Sequence, residues 1–252
     1  MAIHGAFTHC GLFVNGLDLT GDTNMAKITA AKEVRDRTVF GHSARVRSMA
    51  GLGDTQLAAA GFHNGAAAGQ DAAFRANLYS DLINATLIIP AASGIAISAG
   101  DVAWFFQATQ AQYETGEAHG NDLLWNLSLQ GGASGYPLCF GRALDAGQAA
   151  ITADGNGTAV EIGAVAAGQY AYALMHVTEV SDGDAIDVTI ESAPAGDFVG
   201  ATTRFTFAQA AAPGSQFLAR IAGPITDTWW RAVYDVTGSG VSIKCAVVLA
   251  IQ

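Results

Sequence analysis

Most of the chain consists of short segments in which apolar and polar residues alternate with a period of two. Between 123 and 130, Leu and Trp at odd positions alternate with Asn126, Ser128 and Gln130, and a similar pattern runs from Val241 to Ile251. Successive side chains of a β-strand point to opposite faces, so this pattern predicts strands with one buried face. Further candidate strands are 11–15, 56–62, 86–90, 102–109, 170–178, 186–191, 203–207 and 230–236.

One segment has helical spacing instead. Between Asp71 and Leu82, the apolar residues Phe74, Leu78 and Leu82 recur at i, i+4 and i+8 with polar residues on the other faces. This spacing predicts one short amphipathic helix. The fold class expected from the whole pattern is therefore mainly β with one helix.

The composition favours a chain that associates with other subunits. Only 13% of its residues are charged, which is about half the usual fraction of a soluble domain. The net charge of −10 argues against a protein that wraps nucleic acid, because neutralising phosphates requires clustered Lys and Arg. It still allows a surface past which DNA moves without binding. No apolar run is long enough to span a membrane, so we expect no membrane insertion.

No group of residues has the spacing of a catalytic or metal site. The histidines lack H-x-x-x-H and H-E-x-x-H spacing, and the three cysteines lack the short spacing of a disulfide framework or a zinc site. Asp182, Gly183 and Asp184, with Asp187, allow a calcium loop or a tight turn between strands. The turn is favoured because the bidentate Glu of a standard calcium loop is missing. We expect no enzyme activity, no metal and no cofactor.

Turn and linker residues concentrate between 131 and 158, as GGASG, DAG and DGNG. This composition is typical of a domain boundary. We expect two domains, residues 1–145 and residues 146–252, of which the second is an antiparallel β-sandwich.

Several short motifs follow one another in the first half of the chain. Residues 12–20 read LFVNGLDLT, 24–30 NMAKITA, 36–41 DRTVFG, 51–54 GLGD and 57–62 LAAAGF. In this order they resemble the opening of the tail tube, or major tail, proteins of long-tailed bacteriophages. The resemblance implies an N-terminal tail-tube-like β-barrel or sandwich with one short helix. The second half resembles a phage-type β-sandwich, which we expect on the outer surface.

The resemblance also implies a function. Tail tube proteins assemble into rings, usually of six copies, and the rings stack into a hollow tube through which DNA is ejected. We therefore expect a structural virion protein of the tail, assembled in the host cytoplasm. Its partners would be itself, as a hexameric ring, neighbouring tail proteins, and phage DNA that passes without specific binding. A ring of three copies and a related secretion-type tube remain open.

Basic residues cluster in one window of the first half. Six of the seven Lys and Arg residues before position 131 lie between 27 and 47, with Glu33 and Asp36 as the only acids there. In the family that we compare, this region contains a long loop that reaches the neighbouring ring. The resemblance thus implies ring-stacking residues at Lys32, Arg35, Arg37, Arg45 and Arg47. The alternative is a solvated hairpin whose charges only keep it soluble.

A second function class is a phage decoration protein or a protein that binds surface glycans. Its sequence support is the pair Trp229 and Trp230, because aromatic faces stack on sugar rings. In an alternating strand one of the two faces the core, so one exposed Trp is expected even without a ligand.

Overall fold

A computed structural model describes residues 9–36, 38–39, 47–64, 69–78, 80, 82–92, 94–116, 121–132 and 135–252. The mainly β fold with one short helix, which the sequence predicts, is confirmed. The helix α1 is Gln70–Asn77. The strands are β1 Gly11–Val14, β2 Leu17–Asp18, β3 Thr23–Asp36, β4 Arg47–Phe62, β5 Ile83–Ile89, β6 Val102–Thr115, β7 Leu124–Gly131, β8 Cys139–Ala146, β9 Gly155–Asn156, β10 Val160–Glu161, β11 Tyr170–Val180, β12 Ala185–Ala193, β13 Thr202–Thr206, β14 Gly214–Phe217, β15 Ile221–Ala222, β16 Trp229–Thr237 and β17 Ile243–Ile251.

The chain forms two compact units. Unit 1 comprises residues 1–22, 83–106 and 139–252, and unit 2 comprises residues 23–82 and 107–138. The expected linker region contains β8, which pairs with β17 and with the start of β6. The domain boundary expected after residue 145 coincides with the end of β8 and stays a prediction.

Unit 1 contains a curled sheet with the strand order β14-β11-β17-β8-β6-β5-β1-β2. Strand β2 contacts β11, and β14 contacts β5, so the sheet is nearly closed on itself. Closure of this kind protects the strand edges that an open sheet would expose.

A second sheet in unit 1, of order β10-β16-β12-β13, forms a sandwich with β8, β11 and β17 of the curled sheet. The strands alternate as the sequence predicts: in β12 Ile186, Val188 and Ile190 are buried, whereas the residues between them are half-buried. They share one apolar core with Met175, Trp230, Phe205, Val247 and Leu249. The antiparallel sandwich expected in the second half of the chain is confirmed.

The turn between β1 and β2 is fixed to the interior of unit 1 by a buried histidine. Asn15 and Gly16 both have positive φ, at 48° and 82°, as a two-residue hairpin turn requires. The Gly16 N–H donates to His176 Nδ1 at 3.2 Å, so Nε2 carries the proton and donates to Thr86 Oγ1 at 3.0 Å. Burial lowers the pKa of His176 to about 3, and the ring therefore stays neutral near pH 7.

The helix is shorter than the sequence predicts. It ends at Asn77, and of its three periodic apolar residues only Phe74 is buried. Leu78 is the C-cap and is exposed, and Leu82 lies beyond the helix and is also exposed. Asn has low helix propensity, which is consistent with an end at this position.

Candidate functional site

The candidate site is one face of the four-stranded antiparallel sheet of unit 2, in the order β3-β4-β7-β6. Residues opposite each other on neighbouring strands share a face. The cross-strand pairs Lys27 with Ala58, Ala58 with Ser128, and Ser128 with Gln112 therefore define a single row across all four strands. We call this side the open face. Its other members are Met25, Thr29, Asp54, Gln56, Ala60, Glu114, Asn126 and Gln130.

The opposite face of this sheet is covered by helix α1. Leu57, Leu127 and Leu129 are buried there, and the Phe74 ring packs at 5.4 Å from the Trp125 ring. Helix α1 covers this side over β4 and β7, whereas on the edge strand β3 the residues Ala30 and Lys32 remain exposed there.

Hydrogen bonds fix the position of α1. Gln110 Nε2 donates to the Phe74 carbonyl at 2.8 Å, and the Tyr113 hydroxyl donates to Asp71 Oδ1 at 2.8 Å. Partial burial, with a contribution from the Asp71 carboxylate, raises the pKa of Tyr113 to about 12. The Tyr113 phenol therefore remains protonated, and a hydrogen-bond donor, at neutral pH and well above it.

The open face is polar and has a net formal charge of −1. Amide and hydroxyl side chains predominate, and its charged members are Lys27, Asp54 and Glu114. Gln56 Nε2 donates to Ser128 Oγ at 2.9 Å. The small side chains of Ala58 and Ser128 leave a shallow depression of about 210 Å³ there. Such a face offers neither a basic patch for phosphates nor an aromatic platform for bases.

Strand β3 forms an edge of this sheet. It is 14 residues long, and among the described strands it pairs only with β4. A long edge strand carries a row of backbone groups that can pair with another chain. The edge is therefore the second feature of the candidate site.

The structure places part of the basic window on the β3–β4 hairpin. Lys32 is exposed on β3, Arg35 lies opposite Ser48, and Arg47 on β4 lies opposite Asp36. The expected loop is thus replaced by strand at these three positions, because pairing with β4 continues to the end of β3. Arg37 and Arg45 lie outside the described residues.

The two tryptophans of β16 have different environments. Trp230 is fully buried, and its Nε1 donates to the Gly163 carbonyl at 3.0 Å. Trp230 is therefore the member of the pair that faces the sandwich core, as the alternation predicts, and it offers no exposed aromatic face. Trp229 faces the other side and is half-buried, with Gly196 packed so closely that a Cβ there would lie 3.2 Å from its ring.

The segment Asp182 to Asp184 is a turn between β11 and β12, with Gly183 at a φ of 80°. The expected tight turn between strands is confirmed, and it connects the two sheets of the sandwich, because β11 and β12 belong to different sheets. Among the described residues there is no group of three or more His, Cys, Asp or Glu arranged to hold a metal ion. None of the described helices is long and apolar enough to span a membrane.

No protein-family model matches the chain, and no curated protein matches it. The chain is similar to three solved structures of phage-like particles. The first is the virion of a native gene transfer agent particle, at a TM-score of 0.39 and 16% identity over 51% of this chain and 94% of that one. The second is the tail of an empty gene transfer agent particle with C6 symmetry, at a TM-score of 0.39 and 17% identity over the same shares.

The third is the SPP1 Dit (gp 19.1) protein, described as a paradigm of the hub adsorption apparatus in phages that infect Gram-positive bacteria. Its TM-score is 0.36 at 11% identity over 96% of this chain and 99% of that one. All three are structural components of such particles. Because every TM-score lies below 0.5, these similarities carry no argument about the function of this chain.

Proposed function

We propose that this chain is a structural protein of a phage-type tail that assembles into rings, and that stacked rings form a tube for DNA passage. The observation that carries the proposal is the β3 edge. A 14-residue strand that pairs on one side only is an aggregation hazard unless it is covered or joined to another chain. Pairing of β3 with a strand of a neighbouring copy would extend the sheet, and cyclic repetition would close it.

The open face would then line the inside of the ring. Its amide and hydroxyl side chains carry one positive and two negative charges, from Lys27, Asp54 and Glu114. Phosphates gain little from such a wall and are not held by it. This property is the one that a conduit for DNA requires.

The basic window would connect successive rings. The β3–β4 hairpin carries Lys32, Arg35 and Arg47, while the chain as a whole has a net charge of −10. A cationic hairpin on an acidic protein is complementary to other surfaces of the same protein. Arg in particular forms bidentate pairs with carboxylates.

The edge contact can be tested with a matched pair of variants, Thr29→Pro and Ala30→Pro, in the middle of β3. Adjacent residues of a strand direct their N–H groups to opposite edges. At one of the two positions the N–H points away from β4, so a proline there keeps the hydrogen bonds between β3 and β4. At the other position the N–H points towards β4, so a proline there disrupts those hydrogen bonds. The variant with an outward proline should stay folded by circular dichroism and should sediment as a monomer where the wild type forms rings.

The proposed edge contact would be contradicted by a folded proline variant that forms rings as the wild type does. A wild-type chain that remained a soluble monomer or trimer with affinity for glycans would instead favour a decoration or surface-binding protein.

A further inference from the structure

One buried carboxylate of unit 1 lacks a hydrogen-bond partner. Asp184 is only 4% exposed, and no described group donates to its Oδ2. The β12–β16 register pairs Ala185 with Thr237, so Asp184 lies opposite Gly238 at the end of the sandwich. A Cβ on Gly238 would collide with Asp184 Oδ1, so only glycine leaves room for the carboxylate here.

Two loops rich in oxygen ligands meet at this carboxylate. The first is the turn 181–184, and the second is the connection between β16 and β17. Ser181 joins them, because its N–H and its Oγ both donate to the Ser242 carbonyl, at 3.2 and 2.8 Å. Asp182 adds an exposed carboxylate to the first loop, and the second reads Gly-Ser-Gly at 238–240.

A buried carboxylate without a partner is unfavourable in its ionised form, because the protein interior does not replace the hydration that it loses. Half-buried carboxyl groups in the same sandwich have hydrogen-bond donors as partners. Asp145 accepts from the Tyr234 hydroxyl, and Asp227 accepts from Ser192 at 2.6 Å and from Arg204 at 2.9 Å. Asp184 differs from them in having an unpartnered oxygen, and a bound cation would supply the missing interaction.

We propose that Asp184 is the central ligand of a calcium site at this end of the sandwich. Asp182 and backbone carbonyl or hydroxyl oxygens of the loop 238–242 would complete the coordination. Calcium accepts six to eight oxygen ligands in flexible geometry, including backbone carbonyls, whereas magnesium requires a near-ideal octahedron. The site therefore needs no third acidic side chain. The turn between β11 and β12 is compatible with the cation site, since it only has to direct Asp184 inward.

Titration of the metal-free protein with CaCl₂ in a calorimeter tests the proposal directly. The wild type should bind calcium, and its thermal midpoint should rise by about 5–10 °C at a calcium concentration about 100 times Kd, compared with EGTA. Asp182→Asn should weaken calcium binding by about tenfold or more, and Asp184→Asn should abolish it. Asp235→Asn is the matched control, because Asp235 is an exposed acid opposite Asp187 on the outer face of the same sheet.

Calcium affinity in Asp235→Asn should equal that of the wild type. A wild-type protein with the same thermal midpoint in CaCl₂ and in EGTA, and no calorimetric signal, would overturn the proposal. So would undiminished calcium binding by Asp182→Asn. If Asp184→Asn does not fold, calcium binding by the wild type and by Asp182→Asn still tests the proposal.

Discussion

Replacing Arg35 and Arg37 together with Glu should abolish long tubes while leaving the subunit folded. The double reversal changes the charge of the basic window by four units and converts proposed carboxylate pairs into repulsive contacts, which cost several kcal/mol when they are desolvated. Arg35 belongs to β3 and lies next to the last residue of that strand. Tube length is measured by electron microscopy, and folding is measured by circular dichroism.

A double reversal elsewhere on the chain controls for net charge. Arg75 on α1 has a side chain that is 67% exposed and forms an ion pair with Asp71 in the preceding turn, and Arg142 is exposed on β8. Arg75→Glu with Arg142→Glu makes the same change in total charge outside the basic window and should leave tube length unaltered. Tubes of normal length from the Arg35 and Arg37 variant would contradict the stacking role and favour the solvated hairpin.

Gly16→Ala should be among the most damaging single substitutions in unit 1. Gly16 has a φ of 82°, where a side chain is strained, and a Cβ there would collide with the backbone of Gly214. The turn between β1 and β2 cannot move away easily, since the Gly16 N–H donates to His176 and the Asn84 N–H donates to Asn15 Oδ1. Strain and overpacking together should lower the free energy of unfolding by about 3 kcal/mol or more.

The variant Gly94→Ala separates the effect of backbone strain from the effect of the collision with Gly214. Gly94 has nearly the same φ, 81°, but no atom lies within 4 Å of the position of its Cβ. This variant should lose only the conformational contribution, about 1–2 kcal/mol. Both values are measured by urea unfolding. Equal losses in the two variants would show that the contact with Gly214 does not matter.

The strands that were predictable from the sequence are those with strict alternation. In β7 and β12 one face is buried over the whole strand, so the period of two is visible in the residues themselves. Strand β17 is buried on both faces over residues 245–250, so the single buried face expected there is wrong. The open face of β7, with Asn126, Ser128 and Gln130, could be predicted in the same way.

Alternation alone did not predict the longer strands β3 and β8, nor the short strands β2, β9, β10, β14 and β15. Strand β3 lies at an edge, and its many Ala and Thr residues are exposed on both sides, so the sequence contains little periodic signal there. In β8 the residues Gly141 and Ala143 interrupt the pattern, because Gly141 lies so close to Leu249 that a Cβ would collide with its carbonyl. The turn residues around β8 then resemble a linker.

Prediction of the candidate site required even more knowledge of the tertiary structure than prediction of the strands. The open face arises from registers that join four strands distant in sequence. Asp184 could be interpreted only as a turn residue, because its burial depends on Gly238 in the connection between β16 and β17. The Asn-Gly pair at 15–16 was the local signal for the first hairpin turn.

The central claim is self-assembly into hollow rings and tubes. Negative-stain electron microscopy of the purified chain, over a range of protein concentrations and salt concentrations, tests this claim most directly. The proposal predicts rings or tubes of constant width with a central channel, and end-on views from which the number of copies, six or three, can be counted. Small compact particles under every condition, including in the presence of the neighbouring tail proteins that would initiate assembly, would contradict it.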